Sequence, residues 1–261
     1  MKRRSERTGR TWIVGLISCL AVAVLLTAIA PGAFAEEKPV SVSADLTLSS
    51  YYVWRGLRLT DDPVLQPSLT LAHKNLSLNI WANTDLTDVN GTPGETNEFD
   101  YTLDYSFSVQ KVSASVGVIQ YTFPHTPFEP TTELYASAEF PVLLSPKIAV
   151  YYDVDEVGGI YGTVGVSHSF ALGKVYKEIS PSLDLSGSIG YASANWNEGY
   201  YGVDSAGLVD LLLGASLSIP IDETISVAPF VSYSSVIDSD LKDAVVHDDS
   251  FYVGATLSIA F

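Results

Sequence analysis

From residue 250 to the carboxyl terminus the chain alternates almost without fault. Phe251, Val253, Ala255, Leu257, Ile259 and Phe261 share one parity, and Tyr252, Gly254, Thr256, Ser258 and Ala260 share the other. Successive side chains of an extended strand point to opposite faces. The pattern therefore predicts a strand with one greasy wall and one small or polar wall. About twelve segments repeat it: 43–54, 65–73, 76–83, 98–108, 112–123, 132–140, 147–154, 160–170, 182–193, 208–219, 224–234 and 250–261. In 98–108, Phe99, Tyr101, Leu103, Tyr105 and Phe107 oppose Glu98, Asp100, Thr102, Asp104 and Ser106. In 43–54 the outward set runs through Ala44, Leu46 and Leu48 to Tyr52 and Trp54, and 208–219 places Val209 outward with Leu211 and Leu213. In 112–123 the even phase of Val112, Ala114, Val116 and Val118 gives way to Tyr121 and Phe123, which predicts a bulge near Ile119.

The connectors alternate as well. Short ones at 73–75, 110–111, 141–146 and 220–223 interleave with long polar ones at 56–64, 84–97, 124–131, 194–207 and 235–249. Outer-membrane barrels have short periplasmic turns and long external loops in this order. Two connectors strain the rule, since 155–159 is short for an external loop and 171–179 long for a turn. Tyr51, Tyr52, Trp54, Tyr101, Tyr105, Phe107, Tyr121, Phe123, Tyr191, Phe251 and Phe261 fall near predicted strand ends, where interface girdles form. A soluble β-sandwich also alternates, but does not call for aromatic ends or a short–long rhythm. Hydrocarbon offers no partner to a free backbone N–H or C=O, so a sheet bathed in lipid must pair its first and last strands. The expected fold is an all-β, transmembrane, antiparallel up-and-down β-barrel of about twelve strands, with both termini in the periplasm.

The first 35 residues stand apart. Lys2, Arg3, Arg4, Arg7 and Arg10 precede an apolar core from Trp12 to Ala30, and Ala33-Phe34-Ala35 forms a small-x-small cleavage site. This predicts an export signal over 1–35 and a barrel over 36–261. Removing it takes five of the 14 Lys plus Arg and one of the 30 Asp plus Glu. The remaining 9 against 29 give a balance of −20. Such a surface repels nucleic acid. The single cysteine, Cys19, lies in the leader, so the exported part has no disulfide or thiolate chemistry.

The polar parity carries carboxylates through the strands: Asp45, Glu98, Asp100, Asp104, Glu133, Glu139, Asp153, Asp184 and Asp210. Charges facing lipid cost a few kcal/mol each near the midplane, so these face water, and a ladder of them favours cations in a pore. The bland alternative is a solvated lining that supports assembly. Arg55 and Arg58 are the basic counterparts near the outer end of the first segment. Trp81, Tyr135, Tyr151, Tyr161, Phe230 and Tyr252 also point inward, and either narrow the bore or brace its wall. Catalysis has little to stand on. His73, His125, His168 and His247 are scattered without metal-ligand spacing, and adjacent His168 and Ser169 face opposite walls. No cofactor is expected. Asp238, Asp240, Asp243, Asp248 and Asp249 make an acidic last loop without the glycine of a calcium loop.

The segment Ser49-Ser50-Tyr51-Tyr52-Val53-Trp54-Arg55-Gly56-Leu57-Arg58-Leu59-Thr60 resembles the hallmark of the TorF-type porins, a Tyr-Val-aromatic-Arg-Gly run after the first strand. Leu65-Gln66-Pro67-Ser68, Trp81-Ala82-Asn83, Glu98-Phe99-Asp100-Tyr101 and Thr132-Glu133-Leu134-Tyr135 extend the resemblance over roughly residues 43–140. Arg58 and Leu59 stand where that family has a polar pair. Phe261 resembles the terminal aromatic signal read by the barrel-assembly machinery. The resemblance implies an outer-membrane barrel with a pore role, set among lipid and lipopolysaccharide, and supplies no substrate. Arg55 is expected to fold inward and pair with Glu98 or Asp100. The resulting expectation is passive diffusion of small hydrophilic solutes, leaning to cations. Its rival is a narrow or closed barrel with a structural or surface-binding role through acidic loops.

Overall fold

The computed structural model describes residues 40–175 and 179–261; the leader, 1–35, lies outside them. Among the described residues fourteen strands form in chain order. They are β1 (Ser41–Ser49), β2 (Tyr52–Trp54), β3 (Leu57–Thr60), β4 (Val64–His73), β5 (Leu76–Asp85), β6 (Thr96–Val109) and β7 (Val112–Thr122), then β8 (Thr131–Glu139), β9 (Lys147–Asp153), β10 (Ile160–Ala171), β11 (Ser182–Ala192), β12 (Gly207–Pro220), β13 (Ile225–Val236) and β14 (Asp249–Ala260). Two short helices interrupt the connectors, α1 (Ala194–Tyr201) and α2 (Ser239–Asp243).

Twelve of the strands close into one antiparallel barrel, each beside its chain neighbour, and β1 pairs with β14 on one side and β4 on the other. The closing register runs from Ser43 opposite Ala260 to Ser49 opposite Gly254. Closure leaves no unpaired edge, as a lipid-bathed sheet requires. The outward row is the predicted one: Leu46, Leu48, Leu69, Tyr101, Tyr105, Val116, Leu134, Val150, Val164, Leu185, Leu213, Val253 and Leu257 are all exposed hydrophobics. In a soluble protein such a surface would be a liability; against acyl chains it is the stable face.

The sequence expectation fails at four places, each for a local reason. The first barrel strand ends at Ser49, and Tyr52 and Trp54 belong to a separate two-stranded hairpin, β2–β3. No register shift occurs near Ile119, because β7 pairs without interruption with β6 and β8. Tyr121 takes the inward parity and is buried, so its odd number needs no bulge. Among the described barrel strands the shifts fall instead at Asn83/Thr84 and Ile189/Tyr191, and the β2–β3 hairpin has its own at Tyr52/Val53. Beside the second, Val209 leaves the outer wall and joins a buried cluster with Tyr161, Ala192, Trp196, Tyr201, Val236 and Leu241. This apolar core lies at the long-loop end of the barrel.

Candidate functional site

The Arg-Gly pair makes a two-residue hairpin turn. Arg55 has φ +46° and Gly56 φ +86°, the left-handed pair that matches the twist of two antiparallel strands. Tyr52 lies opposite Thr60 and Trp54 opposite Leu57. Gly56 is needed for space as well as for φ. A Cβ there would stand 2.7 Å from the Tyr201 hydroxyl and 3.0 Å from Asp210 Cβ.

The hairpin touches opposite sides of the ring, so it lies within the barrel. Tyr52 packs on Trp81 of β5 at 5.5 Å between ring centres. Trp54 packs on Tyr121 of β7 at 6.3 Å and on Trp196 and Tyr200 of α1 at 5.8 and 5.1 Å. Gly56 reaches Asp210 of β12 and Val236 of β13. The helix α1, capped by Ser193 and ended by Gly202 in the left-handed region, rests its aromatic side chains on the hairpin.

Arg55 is the centre of this assembly. Nη1 and Nη2 each donate to one oxygen of Glu133 at 2.7 Å, the fork geometry that makes Arg–carboxylate pairs strong. The Tyr121 hydroxyl donates to the same carboxylate at 2.9 Å, and the Tyr201 hydroxyl donates to the Arg55 carbonyl at 2.9 Å. The guanidinium carbon lies 4.3 Å from the ring centre of Tyr161, 4.4 Å from Trp54, 4.5 Å from Tyr151 and 5.7 Å from Trp196. Cations over aromatic faces at these distances are attracted by the ring quadrupole. Glu133 is fully buried and the Arg55 side chain is 9% exposed, so neither charge has water as its main partner.

The partner of Arg55 is thus Glu133 on β8 and not the expected Glu98 or Asp100 on β6. Strand parity places all three carboxylates inside. The length and path of the hairpin carry the guanidinium past β6 to β8. Glu98 is instead buried in the wall, opposite Asn83 of β5. Arg58 also leaves the wall, donating to Asp61 at 2.6 Å, Ser250 Oγ at 3.0 Å and the Asp249 carbonyl at 3.0 Å. Its guanidinium beside Asp61 holds that carboxyl below the usual carboxylate range. His247 Nε2 approaches the same carboxylate at 3.3 Å, so the hairpin is latched to the last long loop.

The other expected residues fall in distinct roles. Asp210 accepts from the Tyr161 hydroxyl at 2.8 Å. Asp104 accepts from the Tyr135 hydroxyl at 2.5 Å, and Tyr135 packs on Tyr151 at a tilt. Asp153 organises the short 154–159 connector, accepting from the N–H groups of Asp155 at 3.0 Å and Val157 at 3.1 Å and from Thr131 Oγ1 at 2.7 Å. Glu139 lies opposite Lys147 near the short-turn end, and Asp184 accepts from Ser182. Sequence reading missed Asp85, which is fully buried and gathers donors from Thr60, Asn83, Asn90 and Thr92 under the hairpin. It also missed Trp196, Tyr200 and Tyr201.

The short-turn half of the lumen is different in character. One recess of about 370 Å³ is lined by Ser106, Ser108, Ser113, Ser115 and Ser137 together with Lys74, Glu139 and Lys147, among others. Another, about 440 Å³, is lined by Ser167, Ser169, Asp184, Ser186, Ser216 and Phe230, among others. The barrel therefore has a hydroxyl-rich, open half and a half occupied by hairpin and helix. Among the described residues no group of three or more His, Cys, Asp or Glu is placed to hold a metal ion.

Residues 33–152 match the family model described as a bacterial protein of unknown function, Gcw_chp. That span includes the hairpin and its Glu133 partner. No curated protein matches the chain by sequence. Among solved structures, the chain is similar to the KdgM porin, at 10% identity, with 85% of this chain and 99% of that one covered and a TM-score of 0.48. It is also similar to LpxR from Salmonella typhimurium, at 7% identity, 84% and 99% coverage and a TM-score of 0.46. A third is the COG4313 outer membrane channel from Pseudomonas putida F1, at 8% identity, 89% and 100% coverage and a TM-score of 0.45. At these values the likeness assigns nothing to the lumen.

Proposed function

We propose that the protein is an outer-membrane, porin-like channel of the TorF type that passes small hydrophilic solutes with a lean to cations. In this reading the hairpin constricts its outer half. The observation that carries it is the inner wall. Asp104 and Asp184 alternate with outward hydrophobics and stay partly exposed, Glu98, Glu133 and Asp210 take the same inward face but are buried, and the short-turn half is lined by serine hydroxyls. A barrel meant only as a scaffold has no need of a polar open half, whereas water and solutes do. The long loops are extracellular and the short turns periplasmic in this reading, which sets the acidic loops among lipopolysaccharide headgroups. Phe261, whose N–H donates to the Val42 carbonyl at 2.9 Å, closes the strand that the barrel-assembly machinery would engage.

A second reading has a specific observation in its favour. The apolar cluster around Trp196, Tyr201, Val236 and Leu241 fills the long-loop end as a protein core would. That arrangement suits a closed barrel with a structural or surface-binding role. Single-channel recording in planar bilayers separates the two. Unitary steps with a reversal potential displaced toward cations under a salt gradient support the channel, and a persistently silent bilayer supports the closed barrel.

A further inference from the structure

We propose that the wall around Arg55 is a receptor for guanidinium-bearing solutes, and that Arg55 is the ligand filling it from within the chain. Most of the groups that hold the guanidinium do not belong to the hairpin. Glu133 comes from β8, Tyr151 from β9, Tyr161 from β10 and Trp196 from α1. Their positions are fixed by bonds that do not involve Arg55. Tyr161 donates to Asp210, Glu133 accepts from Tyr121, and Tyr151 packs at a tilt against Tyr135 at 5.6 Å and Tyr161 at 6.2 Å between ring centres. Trp196 lies 5.0 Å from Tyr161. Withdrawal of the hairpin would therefore leave a shaped site, with a carboxylate for the fork and aromatic rings for the planar face.

That constellation selects a chemical class. A guanidinium is planar, remains charged at all physiological pH values, and offers two parallel N–H groups to one carboxylate. An ammonium has no fork and is more strongly hydrated, and urea has the shape without the charge. The competitor is intramolecular, and a short tether gives an effective concentration in the millimolar range. A free solute must match that concentration, which suits a compound passing through in quantity. The consequence for transport rests on the channel reading. A bound guanidinium solute would displace the Arg55 side chain from Glu133 and loosen the hairpin's seat in the outer half, while Arg58 and Tyr52 still tether it.

The test uses the full barrel refolded in detergent, carrying Arg55→Ala, with ethylguanidinium as probe and ethylammonium and urea as controls. Retention of the barrel is checked by heat-dependent migration in gels. Tryptophan fluorescence should change saturably with millimolar ethylguanidinium, about tenfold more weakly with ethylammonium and not with urea. The response should vanish when Glu133→Gln is added. If Arg55→Ala fails to fold, Arg55→Lys serves, because its ammonium lacks the fork and should yield to ethylguanidinium. A folded variant that responds equally to ethylammonium, or to none of the probes, overturns the proposal. In bilayers, wild-type conductance should rise with ethylguanidinium. Binding to a protein that never conducts leaves the receptor standing and removes the channel reading, whereas conduction without binding does the reverse.

Discussion

Arg55 and Glu133, 78 positions apart in the chain, meet fork to fork inside the barrel, with both nitrogen–oxygen distances at 2.7 Å. Removing one member of such a pair strands the other charge in a place without water. Arg55→Met or Glu133→Leu alone should each destabilise the hairpin's seat by about 3–5 kcal/mol. The double replacement should cost far less than their sum. Urea midpoints of the four proteins in detergent give the coupling. Additivity within about 0.5 kcal/mol would mean the two side chains do not depend on one another.

Gly56 supplies a steric prediction. Gly56→Ala puts a methyl group against Tyr201 and Asp210 at a backbone angle that L residues rarely adopt. The expected result is a folded barrel with a displaced hairpin, seen as red-shifted emission from Trp54 and Trp196. Gly91 is the control, since its φ is +76° but a Cβ there meets nothing within 4 Å. Gly91→Ala should cost about 1 kcal/mol through the backbone and leave the emission unchanged.

Most of the barrel was legible in the sequence, because period-two alternation reports which face a residue occupies whatever its neighbours do. Leu134 and Glu133 illustrate it: parity alone puts the first outside and the second inside. The hairpin was hidden by the same rule. Tyr52 and Trp54 share the parity of Leu46 and Leu48, so an interior hairpin reads as the end of a strand. The available signal was Arg55-Gly56, two residues between short β-rich runs, which is the spacing of a tight hairpin turn. Tyr121 misled for a related reason, since an aromatic near a strand end can serve a lipid girdle or pack on a plug. Parity gives the face but neither depth nor position around the ring. Glu98, Asp100 and Glu133 were therefore equivalent partners for Arg55 until the path of the turn was known.

Acidification should loosen the latch between hairpin and last loop. Hydrogen bonding from Arg58 lowers the Asp61 pKa, so the folded state holds this carboxylate ionised more readily than the unfolded chain does. Its stabilising contribution is complete above the unfolded value, about pH 4, and is lost as pH falls through the depressed one. Protease cleavage around residues 58–63 should increase over that acidic window. Asp61→Asn should be cleaved readily at neutral pH and lose the pH dependence. A wild-type cleavage rate that is flat with pH would show that Asp61 does not hold the loop.

Ser115 and Val116 are adjacent and face opposite walls. Val116 is exposed outward, while Ser115 bonds Ser137 Oγ at 3.0 Å and lines a lumen recess. Val116→Arg should lose about 2–4 kcal/mol of stability in bilayers if it lies near the midplane. Ser115→Arg should fold nearly as well as the parent. Folding yields in lipid vesicles compare them, and equal yields would contradict the assignment of the two faces.

A hairpin that occupies the lumen must limit passage through it. Replacing residues 52–60 by a short Gly-Ser linker and recording single channels in planar bilayers tests this most directly. The variant should show unitary conductance several-fold above wild type. Unchanged conductance from a correctly folded barrel would contradict it.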